Sequence, residues 1–344
     1  MAGLRGWLAG LALLMAGACA IAQDAPAAQA APRSPPQSQD AITDLGALVV
    51  TGVQPGPGLW RVSRGDHVLW ILGTLSPLPR GIDWDTNAVE KAISQSQEVL
   101  LAPKVELDSD TGFFGKLALL PTALKARRNP DGRTLEQVVG AREHARWLAL
   151  KARYIGGDRG IEQWRPVFAA LELYDKAIRK SGMRHDGIVA PAVKRMARRY
   201  RVALTEPEVV VRIERPKQAL REFAATALDD RACFTRTLDR IEGDLGTMVV
   251  RANAWAIGDL DTLREQPYAN QFTACSAAFT GAALARKHGI ANLPQQIRAK
   301  WMAVAEGALS RNRSSFALLP IAELLKPDGY LAALQAKGYA VEAP

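Results

Sequence analysis

The pattern of hydrophobic and polar positions is clearest near residue 60, where two strand-like segments follow each other. Residues 59–64 alternate between apolar and polar side chains, and residues 67–72 are almost entirely apolar. A glycine and an aspartate lie between them, which predicts a hairpin whose second strand is buried on both faces. Apolar spacing then predicts a helix over residues 87–95 and a second buried strand over residues 99–102.

The middle of the chain carries the periodicity of helices. Apolar residues recur every three or four positions in four segments, residues 135–152, 161–178, 220–241 and 297–308. One short predicted strand, residues 202–205, interrupts them. The sequence therefore predicts a long helical insertion over about residues 110–312.

The C-terminus returns to the strand pattern and repeats the order of the N-terminal unit. Residues 315–319 predict an apolar strand, a helix opened by a proline and ended by a glycine follows, and residues 339–342 predict a last strand. Each end therefore has a strand, a four-residue turn, a loop, a helix and a strand. These units predict a mixed α/β (α+β) fold with one central sheet built from both ends. Ligands of such sheets bind beyond the carboxyl ends of the strands, where the turns 73–76 and 320–323 lie.

The first 22 residues predict a cleavable secretory signal peptide. Arg5 supplies the positive start, residues 7–15 are apolar, and small residues precede a cleavage point after Ala22. The apolar stretch is shorter than the roughly 20 residues that span a membrane, so an uncleaved anchor is not favoured. Lipidation at Cys19 is the alternative, although Ala16 stands where a lipid-attachment motif has a Leu-like residue. We therefore expect a periplasmic or secreted protein with no transmembrane segment after cleavage.

Residues 23–58 form a segment of different composition. Residues 24–39 are rich in Ala, Pro, Ser and Gln with almost no large apolar side chain, and residues 54–58 are rich in Pro and Gly, which predicts a disordered tether and linker. Folded structure is expected to begin near Leu45 and to be firm from Leu59. Residues 59–344 have the length and apolar content of a single domain that contains the helical insertion.

The net charge of the chain adds no functional prediction. The net charge is +9, and the densest basic run is residues 194–201. No recognised nucleic-acid-binding module accompanies this run, and a solvated helix face explains it. Nucleic acid is therefore not predicted as a partner.

Two cysteines, Cys233 and Cys275, remain after the predicted cleavage. In an oxidising compartment such a pair is a candidate disulfide, which would join two predicted helices. Two buried free thiols are the alternative, because cysteine also packs as a small hydrophobic residue.

The two ends of the chain resemble the TraB/GumN family, whose relatives include the Tiki-type metalloproteases. The resemblance is carried by LWRVSRGDHVLWILGTLSP (59–77), AVEKAISQSQEVLLAP (88–103) and SFALLPIAELLKPDGYLAALQAKGYAVE (315–342). In that family each strand-end turn reads G-x-x-H, and a Glu ends the strand after the first helix. Two imidazoles and a carboxylate at one sheet edge imply a divalent metal site for hydrolysis.

This sequence departs from the family pattern at all three positions. The first turn keeps Gly73 but has Ser76 where the His belongs, and the strand end has Ala102 in place of the Glu. The last turn has Pro320 and Glu323 in place of Gly and His. Serine is a poor ligand for a divalent transition metal and alanine has no ligand atom. The resemblance therefore implies the family's fold without its metal ligands, and we assign no catalytic, metal or cofactor residue.

We expect a non-catalytic family member that binds an unknown peptide, protein or envelope component through the former active-site cleft. The alternative is a metal-dependent peptidase or hydrolase rebuilt around Glu323, with Ser76 and the acidic residues of loop 81–85 around a divalent ion such as Mn, Co or Zn. The histidines form no H-E-x-x-H pair and share no helical face. All four are predicted to be surface residues: His67, His144, His185 and His288.

Overall fold

This computed structural model describes residues 56–108, 112–185, 187–265, 271–281, 283–287 and 290–344. The predicted signal peptide, with Cys19 and the cleavage point after Ala22, and residues 23–55 of the predicted tether lie outside the described residues. Residues 56–58, the end of the predicted tether and linker, lie within the described residues. Pro57 is buried, and a side chain at Gly58 would collide with Pro344. Proline marks linkers in a sequence, but its ring is apolar and here packs onto the domain.

Strands lie mainly near the two ends of the chain, and helices fill the middle. The strands are β1 (Leu59–Arg64), β2 (His67–Thr74), β3 (Leu78–Pro79), β4 (Glu98–Leu100), β5 (Lys104–Asp108), β6 (Met183–Arg184), β7 (Ala203–Thr205), β8 (Glu208–Arg212), β9 (Ser314–Pro320) and β10 (Ala340–Glu342). The helices are α1 (Asn87–Ser94), α2 (Phe113–Ala126), α3 (Leu135–Val139), α4 (Ala141–Tyr154), α5 (Pro166–Lys180), α6 (Val189–Arg199), α7 (Pro216–Ala225), α8 (Arg231–Gly243), α9 (Leu245–Ala256), α10 (Leu260–Glu265), α11 (Gln271–Thr280), α12 (Ala283–Lys287), α13 (Leu293–Arg311), α14 (Ile321–Leu324) and α15 (Tyr330–Ala336).

Six strands form the central sheet in the order β10-β1-β2-β9-β4-β7. β1 is antiparallel to both β2 and β10, whereas β2, β9, β4 and β7 run parallel to one another. Strands from both ends of the chain are therefore neighbours in one sheet, which confirms the predicted fold class and the predicted hairpin. The helical middle adds β7 at one edge of this sheet.

The apolar runs explain why β2 and β9 are central. Leu69, Ile71 and Leu72 of β2 are fully buried, and so is most of β9 from Ser315 onwards. Parallel strands covered on both faces read as continuous apolar runs, as these two do. Trp301 of α13 lies in the same hydrophobic core, so the last long helix covers the sheet.

Helix boundaries in the middle differ from the prediction. The helix predicted over 161–178 begins at Pro166, because proline suits the first turn of a helix, where an amide hydrogen has no partner. The helix predicted over 220–241 is two helices, α7 and α8. Arg165 accounts for the break, since its guanidinium donates to three carbonyl oxygens at the C-terminal end of α7.

Two strands and one covalent bond complete the fold. β5 and β8 form a separate parallel pair that the sequence did not predict, because charged residues such as Lys104 and Glu208 interrupt their apolar pattern. Cys233 of α8 and Cys275 of α11 form a disulfide, as predicted. No helix within the described ranges has the length and apolar character needed to cross a bilayer.

Candidate functional site

The parallel strands end at one common edge of the sheet. In the register, Gly73 of β2 lies opposite Leu319 of β9, and Leu100 of β4 lies opposite Ala317. Ser76, Ala102 and Glu323 follow the ends of β2, β4 and β9 by two or three residues. The three positions at which the family's metal ligands would lie therefore follow adjacent strands at the carboxyl edge.

Gly73 is held in a tight environment at this edge. A Cβ atom at position 73 would lie 3.0 Å from Cγ1 of Ile321 and 3.1 Å from Cζ3 of Trp60, and both side chains are buried. The carbonyl oxygen of Gly73 accepts a hydrogen bond of 2.6 Å from Nε1 of Trp255 in α9. Glycine is therefore required here for close packing, independently of any metal.

Ser76 uses its hydroxyl group within the protein. Its Oγ donates to the carbonyl oxygen of His185 at 2.6 Å, across 109 residues of sequence. The ring of His185 in turn lies against the ring of Tyr174, with centroids 5.1 Å apart. Ser76 therefore connects the turn after β2 to the segment that precedes α6.

Ala102 and Glu323 differ in what they can contribute. Ala102 is half-buried and has no polar side-chain atom. Glu323 lies in the short helix α14, where Oε1 pairs with Nζ of Lys326 at 2.5 Å. Its negative charge also acts on Tyr330 at the start of α15: burial first, and then Glu323, raises the pKa of that phenol to about 12.

These side chains do not fit the divalent metal that the family resemblance implies. The hydroxyl of Ser76 is donated to a carbonyl oxygen, Ala102 offers no ligand atom, and the carboxylate of Glu323 is paired with a lysine. A transition metal needs three or four convergent N, O or S ligands. In the described part of the chain, no group of three or more His, Cys, Asp or Glu residues is placed to hold a metal ion. The acidic loop residue Asp85 is also engaged, since its Oδ1 accepts from the backbone N–H of Asn87.

A cleft of about 500 Å³ is lined in part by Arg184, the neighbour in sequence of His185, whose carbonyl oxygen accepts from Ser76. Its walls are the segment between β3 and α1, the segment after β6, and α6 itself. The antiparallel pair β3–β6 and the bond from Arg80 N to Gly182 O bring the first two walls together. Trp84 on one wall packs against Trp255, with ring centroids 5.4 Å apart. Because Trp255 also bonds Gly73, the cleft is attached to the carboxyl edge of the sheet.

Sequence reasoning missed the charged residues of this cleft. Arg80, Arg184 and Arg195 all line it, together with Asp83. Only Arg195 belongs to the basic run 194–201, and the run as a whole was explained as a solvated face. The other two are isolated in the sequence, and only the pairing of β3 with β6 brings them together. No sequence signal marks them, because β3 and β6 have only two residues each.

The histidines do not all lie at the surface, and the prediction is wrong for His144. Its side chain is 14 % exposed, and Nε2 lies 3.0 Å from Oε2 of Glu162. Glu162 also accepts from Nζ of Lys151 and Nε1 of Trp147. Burial alone would raise the pKa of Glu162, but these three hydrogen bonds outweigh it and hold the pKa below its ordinary value. Helical spacing concealed this cluster, because Glu162 lies outside α4.

The remaining histidines contribute no ligand cluster within the described residues. Nδ1 of His67 lies 2.7 Å from the carbonyl oxygen of Asn312, which ties the start of β2 to the chain before β9. His185 is half-buried beside Ser76. His288 lies outside the described residues.

The fold defines a class of protein in which strand units from both ends of the chain form one sheet. The helical insertion contacts the carboxyl ends of its strands. A family model described as the TraB/PrgY/gumN family matches residues 58–343. The chain belongs to this family. No curated protein and no solved structure gives a significant match.

Proposed function

We propose that this protein is a non-catalytic member of the TraB/PrgY/gumN family that acts by binding a ligand in the cleft between α6 and the segment that joins β3 to α1. The proposal rests on one observation: the two polar side chains at the family's metal-ligand positions are both bonded to other groups of the protein. Ser76 donates its hydroxyl to His185, and Glu323 is paired with Lys326. Neither side chain is arranged to lower the pKa of a metal-bound water, which hydrolysis of this type needs.

Export is the second part of the proposal. The signal-like N-terminus and the disulfide between Cys233 and Cys275 support a periplasmic or secreted location, because disulfides persist in oxidising compartments. Expression of the full chain followed by N-terminal sequencing tests this directly. A mature form that begins at Gln23 is the expected result. An uncleaved chain contradicts export, whereas a lipid on Cys19 contradicts only cleavage after Ala22.

Metal retention and peptide hydrolysis test the catalytic part. The exported protein is incubated separately with Mn, Co and Zn, passed through gel filtration, and assayed for bound metal and for cleavage of a peptide mixture. We expect far less than one equivalent of metal and no cleavage. One retained equivalent together with cleavage overturns the proposal in favour of a rebuilt metallohydrolase site.

Glu323→Gln distinguishes the two outcomes further, and Glu306→Gln is its matched control. Glu306 pairs with Lys337 much as Glu323 pairs with Lys326, and both carboxylates are about one third exposed. Loss of an exposed ion pair costs at most about 1 kcal/mol, so both variants are expected to melt close to the parent protein. If Glu323→Gln alone abolishes a measured activity, the rebuilt site is correct.

A further inference from the structure

Three exposed arginines, Arg80, Arg184 and Arg195, line the cleft. Among the residues that the structure describes, the side chains of Arg80, Arg184 and Arg195 make no hydrogen bond and no ion pair. Arg199, one turn further along α6, instead pairs with Glu90. Like charges gathered in a concave surface repel one another and create a positive potential that attracts anions. The arrangement costs stability unless a ligand uses it.

Arg184 is positioned by the backbone of Gly187. Gly187 has a φ of +86°, and a Cβ there would lie 2.5 Å from Nη2 and 3.0 Å from Cζ of Arg184. The guanidinium therefore occupies the space that any other side chain at position 187 would take. Because α6 begins two residues later, its N-terminal end adds partial positive charge at the same side of the cleft.

The rest of the described lining combines apolar side chains with the carboxylate of Asp83, which the three arginines outnumber, and with Thr86. Ile82, Trp84, Ile188 and Met196 are partly buried and line the cleft between the arginines. Trp84 is fixed by its contact with Trp255 and offers an aromatic surface. A volume of about 500 Å³ is typical of sites for small ligands rather than of surfaces that bind a whole protein.

We infer that this cleft binds a small or chain-terminal oxyanion, either a carboxylate or a phosphate monoester, that is attached to an apolar or aromatic body. Guanidinium groups bind both oxyanions through paired N–H donors, and the apolar lining holds the attached body. The inference rests on the proposed function only in taking this cleft as the binding surface.

Isothermal titration of the full chain with four probes tests the inference. The probes are phenyl phosphate, benzoate, inorganic phosphate and benzyl alcohol. Inorganic phosphate lacks the aromatic body, and benzyl alcohol lacks the negative charge. We expect phenyl phosphate or benzoate to bind at least about tenfold more tightly than both incomplete probes, and to weaken as salt rises. The tighter of the two acids identifies the oxyanion.

Single substitutions locate the site. Arg184→Gln and Arg195→Gln are each expected to weaken binding of the preferred acid by about tenfold or more, because each removes a charged hydrogen-bond donor. Arg142→Gln on α4 is the matched control; Arg142 is exposed and also makes no ion pair among the described residues. Trp84→Phe is expected to reduce the advantage of the aryl probes over inorganic phosphate.

Three results overturn the inference. They are an equal affinity for benzyl alcohol, no saturable binding of either acid at millimolar concentration, and equal binding by the Arg142, Arg184 and Arg195 variants. None of these results bears on metal retention or peptide cleavage, so the anion site and the non-catalytic assignment can fail separately.

Discussion

The indole Nε1 of Trp255 donates a hydrogen bond of 2.6 Å to the carbonyl oxygen of Gly73. Trp255 is 1 % exposed and lies in α9, whereas Gly73 is near the end of β2. One bond therefore connects the helical insertion to the edge of the sheet where Ser76 and Glu323 follow their strands. The same indole supports Trp84 in the cleft, so packing of α9 and the shape of the cleft are linked.

Trp255→Phe is expected to lower the free energy of unfolding by about 1–3 kcal/mol beyond the effect of reduced volume, because the Gly73 carbonyl loses a buried donor. Urea denaturation measures the change. Trp301→Phe is the matched control: Trp301 is fully buried, and its Nε1 has no hydrogen-bond partner among the described residues. An equal loss in both variants would show that the bond to Gly73 contributes nothing.

The sheet was predictable because its strands have strong local signals. Residues 67–72 and 315–319 are apolar runs bounded by turn residues, and such runs identify buried strands without any tertiary information. The disulfide was predictable in part from the signal-like N-terminus. The break between α7 and α8 was not, because the Arg165 side chain that stabilises it is 58 or more residues away from the carbonyl groups it binds.

The candidate site, like the fold, was predictable only in part. The pattern placed Gly73 and the strands at this edge, although β4 ends at Leu100 rather than at Ala102. The partners of Ser76 and Glu323 depend on which side chains the fold brings near them. The cleft depends on β3 and β6, which have two residues each and leave no periodic signal. Short strands that pair across a hundred residues are visible only in the folded chain.

Removal of the disulfide by Cys233→Ala with Cys275→Ala is expected to destabilise the protein by up to about 4 kcal/mol, because the bond closes a loop with a sequence separation of 42. Chemical denaturation with and without a reductant measures the loss. The reductant should destabilise the parent protein and leave the double variant unchanged. A parent protein insensitive to the reductant under denaturing conditions would indicate two free thiols.

Glu162→Gln is expected to destabilise the protein by about 2 kcal/mol or more at neutral pH, since Gln keeps only one acceptor oxygen and removes the negative charge beside the buried ammonium of Lys151. The depressed pKa of Glu162 also fixes the pH dependence. Its stabilisation is fully present above the ordinary pKa of a glutamate and is lost as the pH falls through the lower pKa of the folded state. The variant should therefore lose less stability than the parent on acidification, as thermal unfolding at several pH values would show. Parallel pH curves for the two proteins contradict the prediction.

Tyr330 is expected to ionise only near pH 12, because its ring is buried against Trp301 and faces the charge of Glu323, which Arg298 offsets in part. The folded-state pKa exceeds the pKa of roughly 10 of an unfolded tyrosine. The contribution of Tyr330 to the free energy of unfolding is therefore complete below pH 10 and is lost as the pH rises to about 12. The total is at most about 3 kcal/mol of unfolding free energy over that interval.

Ultraviolet titration of the parent protein against Tyr330→Phe isolates this phenol, and urea unfolding between pH 9 and the alkaline limit of the fold measures the stability change. Glu323→Gln should lower the pKa of Tyr330, since the second largest cause of its rise is removed. Glu306→Gln removes a negative charge of the same kind, but one that is paired with Lys337, and should leave the pKa of Tyr330 unchanged. If Tyr330 titrates near pH 10 in the parent and is unmoved by Glu323→Gln, then the carboxylate of Glu323 does not face α15, and its position at the sheet edge is wrong.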